Sequence, residues 1–128
     1  MIVIDSDVLI DVTRNFPPAL AWFQSAVSKQ SIVLPGYAAM ELFEGCQNLI
    51  EQQRLDRVLA SFRIAWPSPV HCDVALDNFK TFHLSQGMDL LDALIAQTAV
   101  ELGEPLYTFN IKHMSPVRGL VIQQPYTR

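Results

Sequence analysis

Apolar residues along this chain fall in short β-branched or aromatic runs that alternate with longer stretches of helical spacing. The runs 2–4, Ile32–Leu34, Phe62–Trp66, Leu106–Phe109 and Leu120–Ile122 read as five buried strands. Between them the spacing predicts helices over Val8–Val12, Ala19–Ser28, Tyr37–Asn48, Glu51–Ser61, Val70–Gln86 and Leu90–Leu102. Punctuation agrees with these assignments. Pro17 and Pro18 suit a first helical turn, where a missing N–H does no harm, and Pro35-Gly36 breaks the second strand. Pro67 and Pro69 stop the third strand, Gly87 ends the long helix after it, and Gly103 reads as a left-handed cap before Glu104-Pro105. In the long helix, Val74, Leu76, Phe79 and Phe82 are expected to supply the apolar face. Strands alternating with helices, and nothing left over, predict one α/β domain over residues 1–128, a three-layer α/β/α arrangement with a mainly parallel sheet.

Composition narrows the picture. With 128 residues, half of them hydrophobic, and a mean hydropathy of +0.20, the chain can bury one sizeable core and is not disordered. No apolar run approaches the ~20 residues of a spanning helix. Met1 leads straight into the first strand without a basic leader region, so a cytoplasmic protein without a signal peptide is expected. Cys46 and Cys72 form no Cys-x-x-Cys pair and are expected as buried, reduced thiols. The formal net charge of −4 argues against a general basic surface for nucleic acid. It leaves room for a metal-dependent nuclease, because carboxylates that bind cations count as negative before the metal arrives.

The acids fall where a parallel sheet gathers its strand ends. Asp5 closes the first strand, Glu41 lies a turn or two beyond the second, Asp92 opens the clearest helix, and Asn110 follows the fourth strand. Each also has a structural explanation. Asp5, Ser6 and Asp7 are turn and N-cap residues, and capping alone would account for Asp7. Asp11 reads as a solvated helix face, and Glu44 as part of a polar stripe. Glu41 is harder to dismiss, since Tyr37, Ala38, Met40, Leu42 and Phe43 surround it and an unpaired charge there is costly. Asp89 suits an N-cap, with Asp92 at the third helical position. Ala93, Ala96 and Ala99 thin one side of that helix and let Asp92 approach the sheet edge. Lys112, His113 and Arg118 form a small basic group past the fourth strand that could meet phosphate; His71 and His83 have no metal-site spacing.

The segment Ile2-Val3-Ile4-Asp5-Ser6-Asp7-Val8-Leu9-Ile10-Asp11 resembles the opening of the PIN-domain ribonucleases. So does Met40-Glu41-Leu42-Phe43-Glu44-Gly45 with its Glu-Leu-x-x-Gly core. Asp92-Ala93-Leu94-Ile95-Ala96-Gln97-Thr98-Ala99, followed by Leu106–Met114, looks like the family's second half. Four segments in register extend the resemblance over nearly the whole chain, and within the family it looks like the VapC-type toxins of toxin–antitoxin operons. The resemblance implies an α/β/α fold, RNA cleavage dependent on Mg²⁺ or Mn²⁺, and inhibition by a small antitoxin. It implies metal-ligating, catalytic roles for Asp5, Glu41 and Asp92. Many relatives carry an Asp after the fourth strand, yet Thr108–Met114 contains no acid. Asn110, Asp89 or Asp7 would then be auxiliary, and the number of metals stays open.

Carboxylates of this kind would hold a hard cation in an oxygen shell against the scissile phosphate, and the cation would acidify an attacking water. A rival reading takes Asp5-Ser6-Asp7-Val8 as the Asp-x-Asp opening of a haloacid-dehalogenase-type phosphatase, with Asp5 as nucleophile and Asp7 as general acid. Its late acidic motif, faintly echoed by Gly87–Asp92, should follow a strand. A third reading is a degenerate domain that only binds protein. The apolar residues Tyr37, Met40, Phe43, Leu49, Leu55, Val58 and Leu59 are more than two short helices need, so an antitoxin groove, and a homodimer, are expected.

Overall fold

The computed structural model describes residues 1–128. Five short strands, β1 (Ile2–Ile4), β2 (Ile32–Pro35), β3 (Arg63–Ala65), β4 (Leu106–Tyr107) and β5 (Ile122–Gln123), form one sheet in the order β3-β2-β1-β4-β5. Every pairing is parallel, with Val3 opposite both Val33 and Leu106. Parallel neighbours need crossovers, and seven helices provide them: α1 (Ser6–Thr13), α2 (Pro17–Lys29), α3 (Gly36–Glu44), α4 (Leu49–Leu59), α5 (Pro69–Gln86), α6 (Leu90–Leu102) and α7 (Ile111–Met114). The chain steps from β1 to β3 in one direction and returns past β1 to β4 and β5. Right-handed crossovers in opposite directions place helices on both faces, which gives three layers. They also create a topological switch between β1 and β4, where open α/β sheets bind ligands.

Val3, Ile4, Val33, Leu34 and Leu106 are fully buried and make the centre of the core. The spacing Ala93, Ala96, Ala99 on α6 is fully buried too, as its small side chains predict, and Gly103 caps the helix at φ 68°. On α5 the apolar face differs from expectation: Val74 and Leu76 are exposed, because they flank the buried Ala75, each turned about 100° around the helix from it. The packed stripe is Ala75, Phe79 and Phe82, at spacings of four and three. Helix α3 stops at Glu44 rather than running to Asn48. Gly45 N–H closes onto the Glu41 and Leu42 carbonyls, and the Asn48 side chain accepts from Glu51 N at 2.9 Å to start α4. Edge strand β5 is shifted to Ile122–Gln123, and α7, too short for a periodic signal, was not expected. Cys46 and Cys72 are free, and half-buried rather than buried.

Between α3, α4 and β3 runs an open groove of about 750 Å³ lined by Met40, Phe43, Leu59, Ile64 and Trp66 among others. The Trp66 ring lies on Gly36, where a Cβ would sit 2.4 Å from ring carbons; only glycine admits that contact. Of the residues expected to form a groove, Leu55 and Leu59 belong to the core, whereas Met40 and Leu49 are more than half exposed. Ile64 and Trp66 come from β3 and the residues after it, outside the two helices that the sequence pattern pointed to. No helix is long and apolar enough to cross a membrane.

Candidate active site

Strand β1 ends at Ile4, and Asp5 N–H still pairs with the Tyr107 carbonyl at 3.0 Å, so Asp5 stands at the switch between β1 and β4. Its extended backbone makes it the N-cap of α1, and Oδ1 accepts from Ser6 N at 2.7 Å. Oδ2 accepts from the Thr108 hydroxyl, also at 2.7 Å. Asp7, read from sequence as a cap, is not one. It lies inside the first turn of α1 and turns its Oδ2 to Phe109 N–H, 2.9 Å away, while Oδ1 is buried with no partner. Helix α3 carries Glu41 toward the same edge, where its Oε1 accepts from the Ser6 hydroxyl at 2.5 Å.

Asp92 arrives from α6. Asp89 and Asp92 form the predicted capping box, with Asp89 exposed and Asp92 8% exposed. Asp92 Oδ2 accepts from Asp89 N at 3.2 Å, and Oδ1 accepts from Asn110 Nδ2 at 3.0 Å. His113 on α7 brings Nδ1 to 3.5 Å from Asp92 Oδ2, an ion pair when the imidazole is protonated. Lys112, on the same helix, and Arg118 are exposed, with no hydrogen bond or ion pair to any of these acids. Of the three expected basic residues, His113 is the one that touches the acids. Ser6 and Thr108, whose hydroxyls join Asp5 to Glu41 and to β4, were not singled out from sequence. Their signal was position: each is next to, or is itself, the first residue past a buried strand.

The electrostatics record how crowded the acids are. Asp5 is pushed up to about 7, chiefly by burial and then by the Asp7 charge, against the hydrogen bonds from Thr108 and Ser6. Burial is also the leading cause that raises Asp7, Glu41 and Asp92, and for Glu41 the charges of Asp92, Asp89 and Asp7 add to it. Oxygen donors that repel one another and resist ionisation fit a hard divalent cation, which would remove both penalties. As the side chains stand, no three of them share one coordination sphere. Glu41 is turned to Ser6, Asp5 to Thr108 and Asp92 to Asn110, so a cation would compete with those hydrogen bonds.

The profile of the PIN domain matches residues 2–115. The chain belongs to the PIN domain family. Among solved structures, the VapBC2 complex of Rickettsia felis, bound to a DNA fragment from its promoter, aligns with a TM-score of 0.77 at 20% identity. The alignment covers 96% of this chain and 98% of that one. A toxin–antitoxin complex from Klebsiella pneumoniae aligns at 0.78 and 21% identity over 98% of both chains, and VapBC-1 of nontypeable Haemophilus influenzae at 0.76 and 21%, over 96% and 97%. At such identities these likenesses establish the fold. No curated protein matches the sequence.

This PIN domain places Asp89 as a cap and Asp92 beneath it, and the two are expected to respond differently to substitution. Asp89→Asn should leave thermal stability and any activity within about twofold of the wild type, because Asn caps a helix as well as Asp does. A loss comparable to that of Asp92→Asn in a side-by-side nuclease assay would move Asp89 into the site.

Proposed function

We propose that this PIN domain is a VapC-type toxin, a cytoplasmic endoribonuclease that hydrolyses RNA with the help of Mg²⁺ or Mn²⁺ and is silenced by a cognate antitoxin. The observation that carries the reading is the meeting of Asp5, Glu41 and Asp92, from three separate elements, at the β1/β4 switch. Acids that are buried, as Asp5 and Asp92 are, or half-buried, as Glu41 is, with raised pKa values at such an edge are poor structural choices and suitable cation ligands. Asp5, Glu41 and Asp92 would hold the ion, with Asn110 and Asp7 as auxiliaries. When bound, a divalent cation supplies charge for the phosphodiester oxygens and lowers the pKa of a water. The protein's own part is orientation. Ser6 ties Glu41 beside Asp5, Thr108 fixes the Asp5 carboxylate, and Asn110 fixes that of Asp92. His113, next to Asp92, can donate to an RNA phosphate.

The phosphatase reading fits this site poorly. Gly87–Asp92 joins two helices, α5 and α6, and does not follow a strand. Asp7, its would-be general acid, is held by Phe109 N–H. Trapping of Asp5 by beryllium fluoride, with turnover of phosphomonoesters but not RNA, would restore it.

The antitoxin has a place to bind in the groove between α3 and α4, where Met40, Ile64 and Trp66 expose apolar surface. The VapBC complexes above are toxin–antitoxin assemblies of the same fold. Co-expression with a neighbouring antitoxin frame should give a complex that cleaves RNA only after the partner is removed. A chain that is harmless when expressed alone and captures no such partner would end the toxin reading and leave the nuclease. A second copy of the chain is the competing occupant; a dimer that persists when Trp66→Ser abolishes partner binding would place the homodimer contact elsewhere.

A further inference from the structure

The site leans on a segment that is remote in sequence. We infer that Tyr126–Arg128 is a strap that holds the turn Thr108–Asn110 against the acids, with Arg128 as a positioning residue. Its consequence for catalysis rests on the nuclease reading; the strap itself does not.

Each residue of the turn touches a different acid. Thr108 donates to Asp5, Phe109 N–H donates to Asp7, and Asn110 donates to Asp92. Strand β4 is only two residues long, and the last bond to the sheet runs from Thr108 N–H to the Gln123 carbonyl at 3.0 Å, so Phe109 and Asn110 need another anchor. Phe109 provides it. The Arg128 guanidinium lies over its ring, 4.1 Å from the centroid, and the Tyr126 ring packs beside it at 4.9 Å. Both strap residues are fastened to one carboxylate, Asp11: Tyr126 OH donates at 2.8 Å and Arg128 Nε at 2.9 Å. Asp11, expected as a solvated helix position, is thus the strap's cleat. It stands one turn after Asp7 on α1, and Arg128 also reaches the Asp7 carbonyl, at 3.5 Å. Behind the strap, Tyr126 contacts Phe16 and Trp22, and Trp22 contacts Tyr107 of β4. A path of direct contacts therefore runs from Asp11 through Arg128 and Phe109 to Thr108 and Asp5.

Arg128 is itself half exposed, stacks on the Phe109 ring and touches Asp7 only at its backbone carbonyl, so it acts on Asp5 and Asp92 through the turn. Its loss should free the turn without unfolding the domain. The test is amide hydrogen exchange by NMR on the full chain, run beside an RNA-cleavage assay. In Arg128→Ala and in Asp11→Asn, exchange at Phe109 and Asn110 should quicken about tenfold, whereas Val33 and Ala96 keep their protection. In the assay kcat should fall about tenfold with KM unchanged, because a misplaced Thr108 and Asn110 disturb orientation rather than RNA binding. Arg128→Lys, which keeps a cation over the ring, should lie between alanine and wild type on both readouts. Unchanged exchange at Phe109 in both variants, or a loss of protection spread evenly over the core, would overturn the strap. If the wild-type chain cleaves no RNA, the nuclease reading falls and the exchange data still decide the strap.

Discussion

Asp5→Asn, Glu41→Gln and Asp92→Asn are each expected to lower RNA cleavage by about a thousandfold or more in Mg²⁺. The figure follows from losing a charged ligand: several kcal/mol of transition-state stabilisation, at ~1.4 kcal/mol per tenfold in rate. The three differ in what they do to the fold, and that difference separates a dead site from a damaged domain. Asp5→Asn keeps an oxygen for Ser6 N, and Thr108, already 3.3 Å from Asp7 Oδ2, can turn its hydroxyl there. Glu41→Gln keeps an acceptor for the Ser6 hydroxyl. Both should fold with undiminished thermal stability, since each removes a like charge from the cluster. Asp92 receives donors on both oxygens, from Asp89 N and Asn110 Nδ2, so an amide nitrogen must oppose one of them. Asp92→Asn should cost about 1 kcal/mol of capping. If all three proteins cut RNA at the wild-type rate, the assignment of the site is wrong.

Much of the architecture was legible because it is written in local spacing. Helix α6 has the expected ends, since the Asp89–Asp92 box and the Gly103 cap fix both of them chemically. The β-branched runs at 2–4 and Ile32–Leu34 are central strands, buried on both faces, and need no alternation to be recognised. What escaped were features decided by tertiary contacts. The extent of β5, at an edge, is set by pairing to β4 and not by its own residues. The outward turn of Val74 and Leu76 depends on which side of α5 meets α6.

In the site, Asp5 stood out as an acid closing a buried strand and Glu41 as an acid in an apolar turn, whereas Asp92, which follows no strand, was marked by the alanine-lined side of its helix. The hydroxyls of Ser6 and Thr108 were not legible: serine and threonine are common after strands, and only the fold shows their partners. Asp7 and Asp11 were misread for a related reason. A helix-start pattern cannot tell a cap from an acid aimed at a segment more than ninety residues away, whether that target is Phe109 or the Tyr126–Arg128 strap.

The raised carboxylates make the cation-free protein an unusual case in which acid stabilises the fold. Asp5 ionises near its ordinary value of 3.8 in the unfolded chain and at about 7 in the folded one. Between those limits the folded state holds a proton that the unfolded state has released, so stability falls as pH rises from about 4 to about 7. At ~1.4 kcal/mol per pKa unit, Asp5 alone accounts for up to about 4 kcal/mol, and Asp7, Glu41 and Asp92 shift in the same direction. In the presence of chelator, Tm should therefore drop by more than about 5 °C across that window. Millimolar Mg²⁺ or Mn²⁺ should restore most of the loss at pH 8 and do little at pH 5, where protons occupy the same oxygens. Asp5→Asn should lessen the pH dependence and blunt the response to metal together, since the same carboxylate contributes to both. Thermal melts with and without the cation decide this without any RNA. A chelated Tm that stays level or climbs from pH 4 to pH 7, with no rise on adding metal at pH 8, would mean the acids do not form a cation site.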